Sequence, residues 1–167
     1  MATKVQAAAG ITGYRHQLDR ARRFLDRVLR HFDDWDDMND VEFQDDMWSF
    51  FQHCWHVKDW VKNDPHVLPA QVQVVSDMAH ASATLKICQD LCNGTKHLKL
   101  DKPRSGAGAS HQSVDTFIGP GVGRFEMDCT FDDGHGNPVS GKQLAHDCIA
   151  EWEAILQSQG MATARMS

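Results

Sequence analysis

Residues 40–63 read DVEFQDDMWSFFQHCWHVKDWVKN. Met47, Trp48, Phe50, Phe51, Cys54, Trp55, Val57 and Val61 recur at three- and four-residue steps. Together they cover more than half the circumference of a helix. A helix apolar over so wide an arc packs on two sides, so this stretch predicts the central member of a helical bundle. Asn39-x-x-Glu42 is a variant capping box that opens it. Asn63-Asp64-Pro65 ends it, because the residue before proline avoids the helical region.

The pattern extends in both directions. Upstream, Leu18, Ala21, Phe24, Leu25, Val28, Leu29, Phe32 and Trp35 form one apolar arc and predict a helix over 13–34. The acids Asp33, Asp34, Asp36 and Asp37 sit at its end, where carboxylates oppose the helix dipole. Downstream, Pro69 suits the first turn of a shorter helix over 69–79. His80-Ala81-Ser82 predicts a turn, and a further helix over 83–98 buries Thr84, Leu85, Ile87, Cys88, Leu91, Cys92 and Leu98. Residues 101–113 have loop composition. Two strands follow, 114–118 and 124–131, joined across Gly119–Gly123. In the second, Phe125, Met127, Cys129 and Phe131 alternate with polar residues, the period of a sheet with one buried face. A dense turn over Asp133–Pro138 leads to a last helix, 142–158. The chain thus predicts a mainly α fold: an antiparallel helical bundle with a small β-hairpin, about 114–132, before the C-terminal helix. One domain spans 13–158, with a mobile lead-in over 1–12 and a tail over 159–167 that frays.

A chain of 167 residues with 41% hydrophobic content suits one globular domain. No apolar run approaches the ~20 residues that span a bilayer, and the N-terminus lacks a secretory layout. A cytoplasmic protein is expected. The five cysteines have irregular spacing, and Cys88 and Cys92 are four apart. They fit neither a disulfide framework nor a structural zinc motif, and read as small apolar groups. The net charge of −6 conceals an asymmetry. Residues 15–30 hold six arginines (Arg15, Arg20, Arg22, Arg23, Arg27, Arg30), and residues 33–46 hold eight acids without a Lys or Arg. The arginines form either a solvated, salt-bridged face or an anion-binding one.

Three constellations carry candidate chemistry. In CQDLCNGTKHL, residues 88–98, the positions Asp90, Asn93 and His97 fall on one helical stripe. That stripe is the wet side of a helix, a polar network between helices or subunits, or the lining of a groove. Secondly, His53, His56 and Asp59 step by three along the second helix and are candidate metal ligands. The ends of the series lie about 120° apart around the axis, which disfavours one shared ion. Thirdly, Lys58 projects into an apolar arc, where it either pairs with Asp90 or snorkels outward. Gly119–Gly123 opens no helix, so it is not a phosphate loop. The Asp132–Asn137 turn lacks the closing Glu of a calcium loop.

Asn93-Gly94-Thr95-Lys96-His97 resembles the Asn-to-His part of the motif of the HEPN superfamily, a group of small helical domains. Cys92 stands where the family's Arg would precede the Asn. The run His53–Asp64 with Asp90–His97 is also similar to a group of bacterial and phage proteins, helical with a terminal hairpin, that brings no activity with it. The HEPN resemblance implies a homodimer in a defence or toxin–antitoxin setting that binds RNA or a partner protein. If it cuts RNA, it does so without metal or cofactor. His97 would then be the general acid/base, Asn93 a positioning group, Asp90 the orienter of His97, and Lys96 a phosphate contact. Arg15, Arg22, Arg23 and Arg30 would hold the strand. Two alternatives stand beside this reading. One is a non-enzymatic dimeric interaction module, and the other is a metal-binding bundle using His53, His56 and Asp59.

Overall fold

The computed structural model describes residues 13–30, 40–97, 113–118, 125–133 and 135–166, with side chains for all of these except 40, 95–97, 113–118 and 125–128. The expected lead-in over 1–12, the acid cluster Asp33–Asp37, the loop after residue 100 and the Gly119–Gly123 connection lie outside the described residues. Among the described residues the order is α1 (Tyr14–Arg30), α2 (Asp40–Trp55), α3 (Val57–Asn63), α4 (Pro69–Ala81), α5 (Ala83–His97), β1 (Ser113–Ile118), β2 (Phe125–Asp132), β3 (Pro138–Ser140) and α6 (Gly141–Ser158). The fold is mainly α, with an antiparallel β1–β2 hairpin before the last helix.

α2 is the centre of the bundle. Phe43, Met47, Phe50, Phe51, Cys54 and Trp55 are all buried along it. It packs against α1, α5, α6 and β2, as its wide apolar arc requires. The single helix expected over 40–63 is divided at His56, whose φ of −69° and ψ of −8° tighten the turn. There Asp59 N donates to His56 O at 3.0 Å, a three-residue bond. The turn expected over 80–82 shrinks to Ser82, whose extended backbone ends α4. Its hydroxyl accepts Leu85 N at 3.2 Å and so caps the start of α5.

β1 and β2 pair antiparallel from Ser113–Thr130 to Ile118–Phe125. Cys129 and Phe131 are buried, and the Phe131 ring meets Phe51 and Trp48 edge-on at 5.6 and 5.8 Å. A third strand extends the expected hairpin. β3 pairs with β2 through Thr130–Ser140, Phe131–Val139 and Asp132–Pro138. Pro138 obscured it in the sequence, because a residue without an N–H is confined to a strand's start or a sheet's edge. The turn between β2 and β3 is held by Asp133 Oδ1, which accepts His135 N at 2.8 Å and Asn137 N at 3.1 Å. Ser140 Oγ then caps α6 through Gln143 N at 3.1 Å. Gly141 begins that helix because a Cβ there would overlap Cys129 Sγ and lie 2.8 Å from Cys129 O.

The start of α1 is tied to a distant residue. Tyr14 N donates to Asp64 Oδ2 at 3.1 Å. Gly13 permits the approach, with φ at +86° and no room for a Cβ beside the Asp64 carboxylate. Residues 159–166, expected to fray, lie along α1 instead. Tyr14 Oη donates to Ala162 O at 3.0 Å and Arg15 Nη2 to Ala164 O at 3.0 Å. Met166 N donates to Asp19 Oδ2 at 2.9 Å, and Arg165 forms two bonds to Asp26. No helix among the described residues is long and apolar enough to cross a membrane.

Candidate functional site

The polar stripe of α5 is drawn inward at its start. Asp90 is 1% exposed, between the buried Cys88 and the buried Leu91 and Cys92. Asn93, a turn further on, is half-buried. The backbone of Lys96 and His97 completes α5, and their side chains lie outside the described residues. Asp90 is therefore an interior carboxylate rather than part of a wet helix face. Cys92, at the position of the motif's Arg, is 0% exposed, so no cation stands there. Lys58 does not reach Asp90. It pairs with Asp59 at 2.6 Å and its ammonium lies 5.1 Å from the centre of the Trp55 ring. The snorkelling alternative thus describes it better.

His53, His56 and Asp59 do not converge. His53 stacks on Phe24, ring centres 4.9 Å apart. Gln17 Nε2 donates to His53 O at 2.8 Å and lies 3.3 Å from Nδ1. An amide N–H facing Nδ1 makes that nitrogen an acceptor and puts the ring proton on Nε2. Burial, aided by the charges of Arg20, His56 and Arg23, lowers the His53 pKa to about 4. His53 is thus a neutral, packed imidazole at pH 7. Among the described residues, the one group of three His, Cys or carboxylate side chains close enough to share an ion is Cys54, Cys88 and Cys148. Their separations in sequence, 34 and 60 residues, match no motif, and the convergence arises only when α2, α5 and α6 pack.

α1 sorts its charges by face. Arg22 is 6% exposed. It bonds Asp19 Oδ1 at 2.8 Å, Glu153 Oε1 and Thr163 O at 2.7 Å. Asp26 is held below the ordinary carboxylate range by its bonds to Arg165. Arg22 and Arg15 thus face the C-terminal segment. The opposite stripe, His16, Arg20, Arg23, Arg27 and Arg30, follows steps of four and three. Arg23, Arg27 and Arg30 are exposed along it. Arg20 lies 5.6 Å over the Trp60 ring. Arg27 lies 4.9 Å over Phe24 and 3.6 Å from Asp46. The sequence displayed the arginines without separating these two sets. The separating signal is the helical phase of Arg22, which falls with Leu18, Leu25 and the core.

A cleft of about 490 Å³ opens at the start of α1, with Tyr14, Arg15, His16, Asp64 and His66 in its walls and no residue of α5. No protein-family model, curated protein or solved structure matches the chain.

Proposed function

We propose that this protein binds RNA along the outer stripe of α1, holding the strand without cutting it. The observation that carries the reading is the partition of charge on α1. Asp19 and Asp26 are committed to Arg22, Arg165 and the backbone of Met166. The exposed Arg23, Arg27 and Arg30 therefore stand on the other face without an acid of α1 beside them, Arg27 meeting Asp46 of α2 at 3.6 Å. A row of guanidinium groups at one-turn spacing suits successive phosphates, which dominate RNA affinity. Trp60, half-exposed beneath Arg20, adds a ring on which an unpaired base can stack. Of the four arginines assigned to RNA, Arg23 and Arg30 keep that role in this reading. Arg22 is internal, and Arg15 holds Ala164 O.

The interior placement of Asp90 and Cys92 on α5 supports binding without cleavage. Cutting through His97 would need Asp90 and a motif cation beside it, and Asp90 and Cys92 are both interior. Homodimerisation is not required for this reading.

The test is fluorescence anisotropy with a short single-stranded RNA at two salt concentrations. Arg23→Glu with Arg30→Glu should weaken binding at least about tenfold and reduce the salt slope by about two charges. Unchanged affinity in that variant overturns the reading. RNA cleavage in chelator, abolished by His97→Ala, would overturn its non-catalytic part.

A further inference from the structure

Cys54 of α2, Cys88 of α5 and Cys148 of α6 bring three sulfur atoms within 4.8 Å of one another. Each is 0% exposed, and all are free thiols. Cys88 S–H points to Phe51 O at 3.6 Å and Cys148 S–H to Thr84 O at 4.0 Å. Beside them lies Trp152, 0% exposed, whose Nε1 is buried without a hydrogen-bond partner. An orphaned donor next to three thiols is expensive in a core that needs only small apolar groups. Three converging sulfurs beside an unpaired buried N–H suit a bound thiophilic ion, whose sulfur ligands the indole can then donate to.

Ligand number and charge select the guest. No fourth His, Cys or carboxylate joins the group among the described residues, and a structural zinc site wants four ligands. Among the described residues, the groups acting most strongly on the thiols are one another, Trp152 and Asp147, with no cation among them. Three thiolates on Zn(II) would leave one buried negative charge and on Cu(I) two, both costly in an apolar interior. Three thiolates on a trivalent ion are neutral.

We propose that Cys54, Cys88 and Cys148 form a closed, three-coordinate site for a trivalent thiophilic ion, loaded from arsenite. Three S–H bonds and three As–O bonds break, three As–S bonds form, and three waters leave. No electrons are exchanged. The arsenic lone pair occupies the position a fourth ligand would take. Because the sulfurs are out of reach of solvent, loading waits on local opening of the bundle.

The experiment is to refold the full chain with a phosphine reductant in the presence of arsenite, and to measure bound arsenic by native mass spectrometry and its neighbours by X-ray absorption. The expected result is one arsenic per chain with three sulfur and no oxygen neighbours, and a raised melting temperature. Cys148→Ala and Cys88→Ala should each lose stoichiometric binding, whereas Cys92→Ala and Cys129→Ala keep it. Far-UV circular dichroism checks that each variant folds, and the two site variants cover for one another. A wild-type chain that stays free of arsenic overturns the site. Retention of oxygen on arsenic, or full binding by a folded Cys148→Ala or Cys88→Ala variant, overturns the three-sulfur geometry. Preferential uptake of Cu(I) or Zn(II) in direct competition overturns the charge argument.

Discussion

His53 shows how one side chain couples packing to pH. Its ring is stacked on Phe24 and its Nδ1 faces an amide N–H of Gln17, so a second ring proton would meet a donor. Burial first, then the nearby arginines, hold its pKa at about 4 against an ordinary 6.5. A folded value below the unfolded one means that the unfolded chain takes up the proton first as acid is added. The stability that depends on neutral His53 is complete above about pH 6.5 and is lost as the pH falls toward 4. The half-exposed ring limits the effect to about 1 kcal/mol. Urea midpoints at neutral and mildly acidic pH should separate in the wild type and draw together in His53→Asn; equal separation in both assigns the acid sensitivity elsewhere. The sequence displayed His53 as a ligand candidate because a histidine on a helix carries no mark of its neighbours. Gln17, 36 residues away, makes it a packing residue.

Elements were the most legible level, and their ends the least. Apolar periodicity located the helices and strand alternation located the β1–β2 hairpin, since both patterns are local. The division at His56 and the strand Pro138–Ser140 were not legible, because each depends on what the neighbouring segment offers. The cap of α1 is a further case. Gly13, without a side chain to cap, precedes Tyr14, and the acceptor comes from Asp64 at the end of α3. That carboxylate also meets the positive end of the helix dipole. Asp64→Ala should cost about 1–2 kcal/mol, read as a lower thermal midpoint, with Asp64→Asn recovering part of it through the amide oxygen. A midpoint unchanged in Asp64→Ala would show that solvent caps α1 equally well.

Across the whole molecule, the largest departure from the sequence reading is the docking of residues 159–166. Small and polar residues carry no periodic signal, yet their backbone carbonyls satisfy Tyr14, Arg15 and Arg22. The candidate sites divide in the same way. The arginines and the α5 stripe were visible as residue types in a row, whereas the three-sulfur cluster needed three helices to be placed. Arg22 joins α1, α6 and the C-terminal segment through Asp19, Glu153 and Thr163. Arg22→Met leaves the Asp19 carboxylate buried beside an apolar group and should cost about 3 kcal/mol. It should also expose the C-terminal segment to limited proteolysis. Adding Asp19→Asn should restore part of the stability. Full stability and protease resistance in Arg22→Met would show that the segment holds without the guanidinium.

The same attachment has a consequence for biosynthesis. Glu153, Thr163 and Met166, which complete the polar half of α1, leave the ribosome 131 to 147 positions after their partners on that helix. The nascent chain must carry an unfinished first helix until those distant partners have been made, so their synthesis governs when the bundle can close.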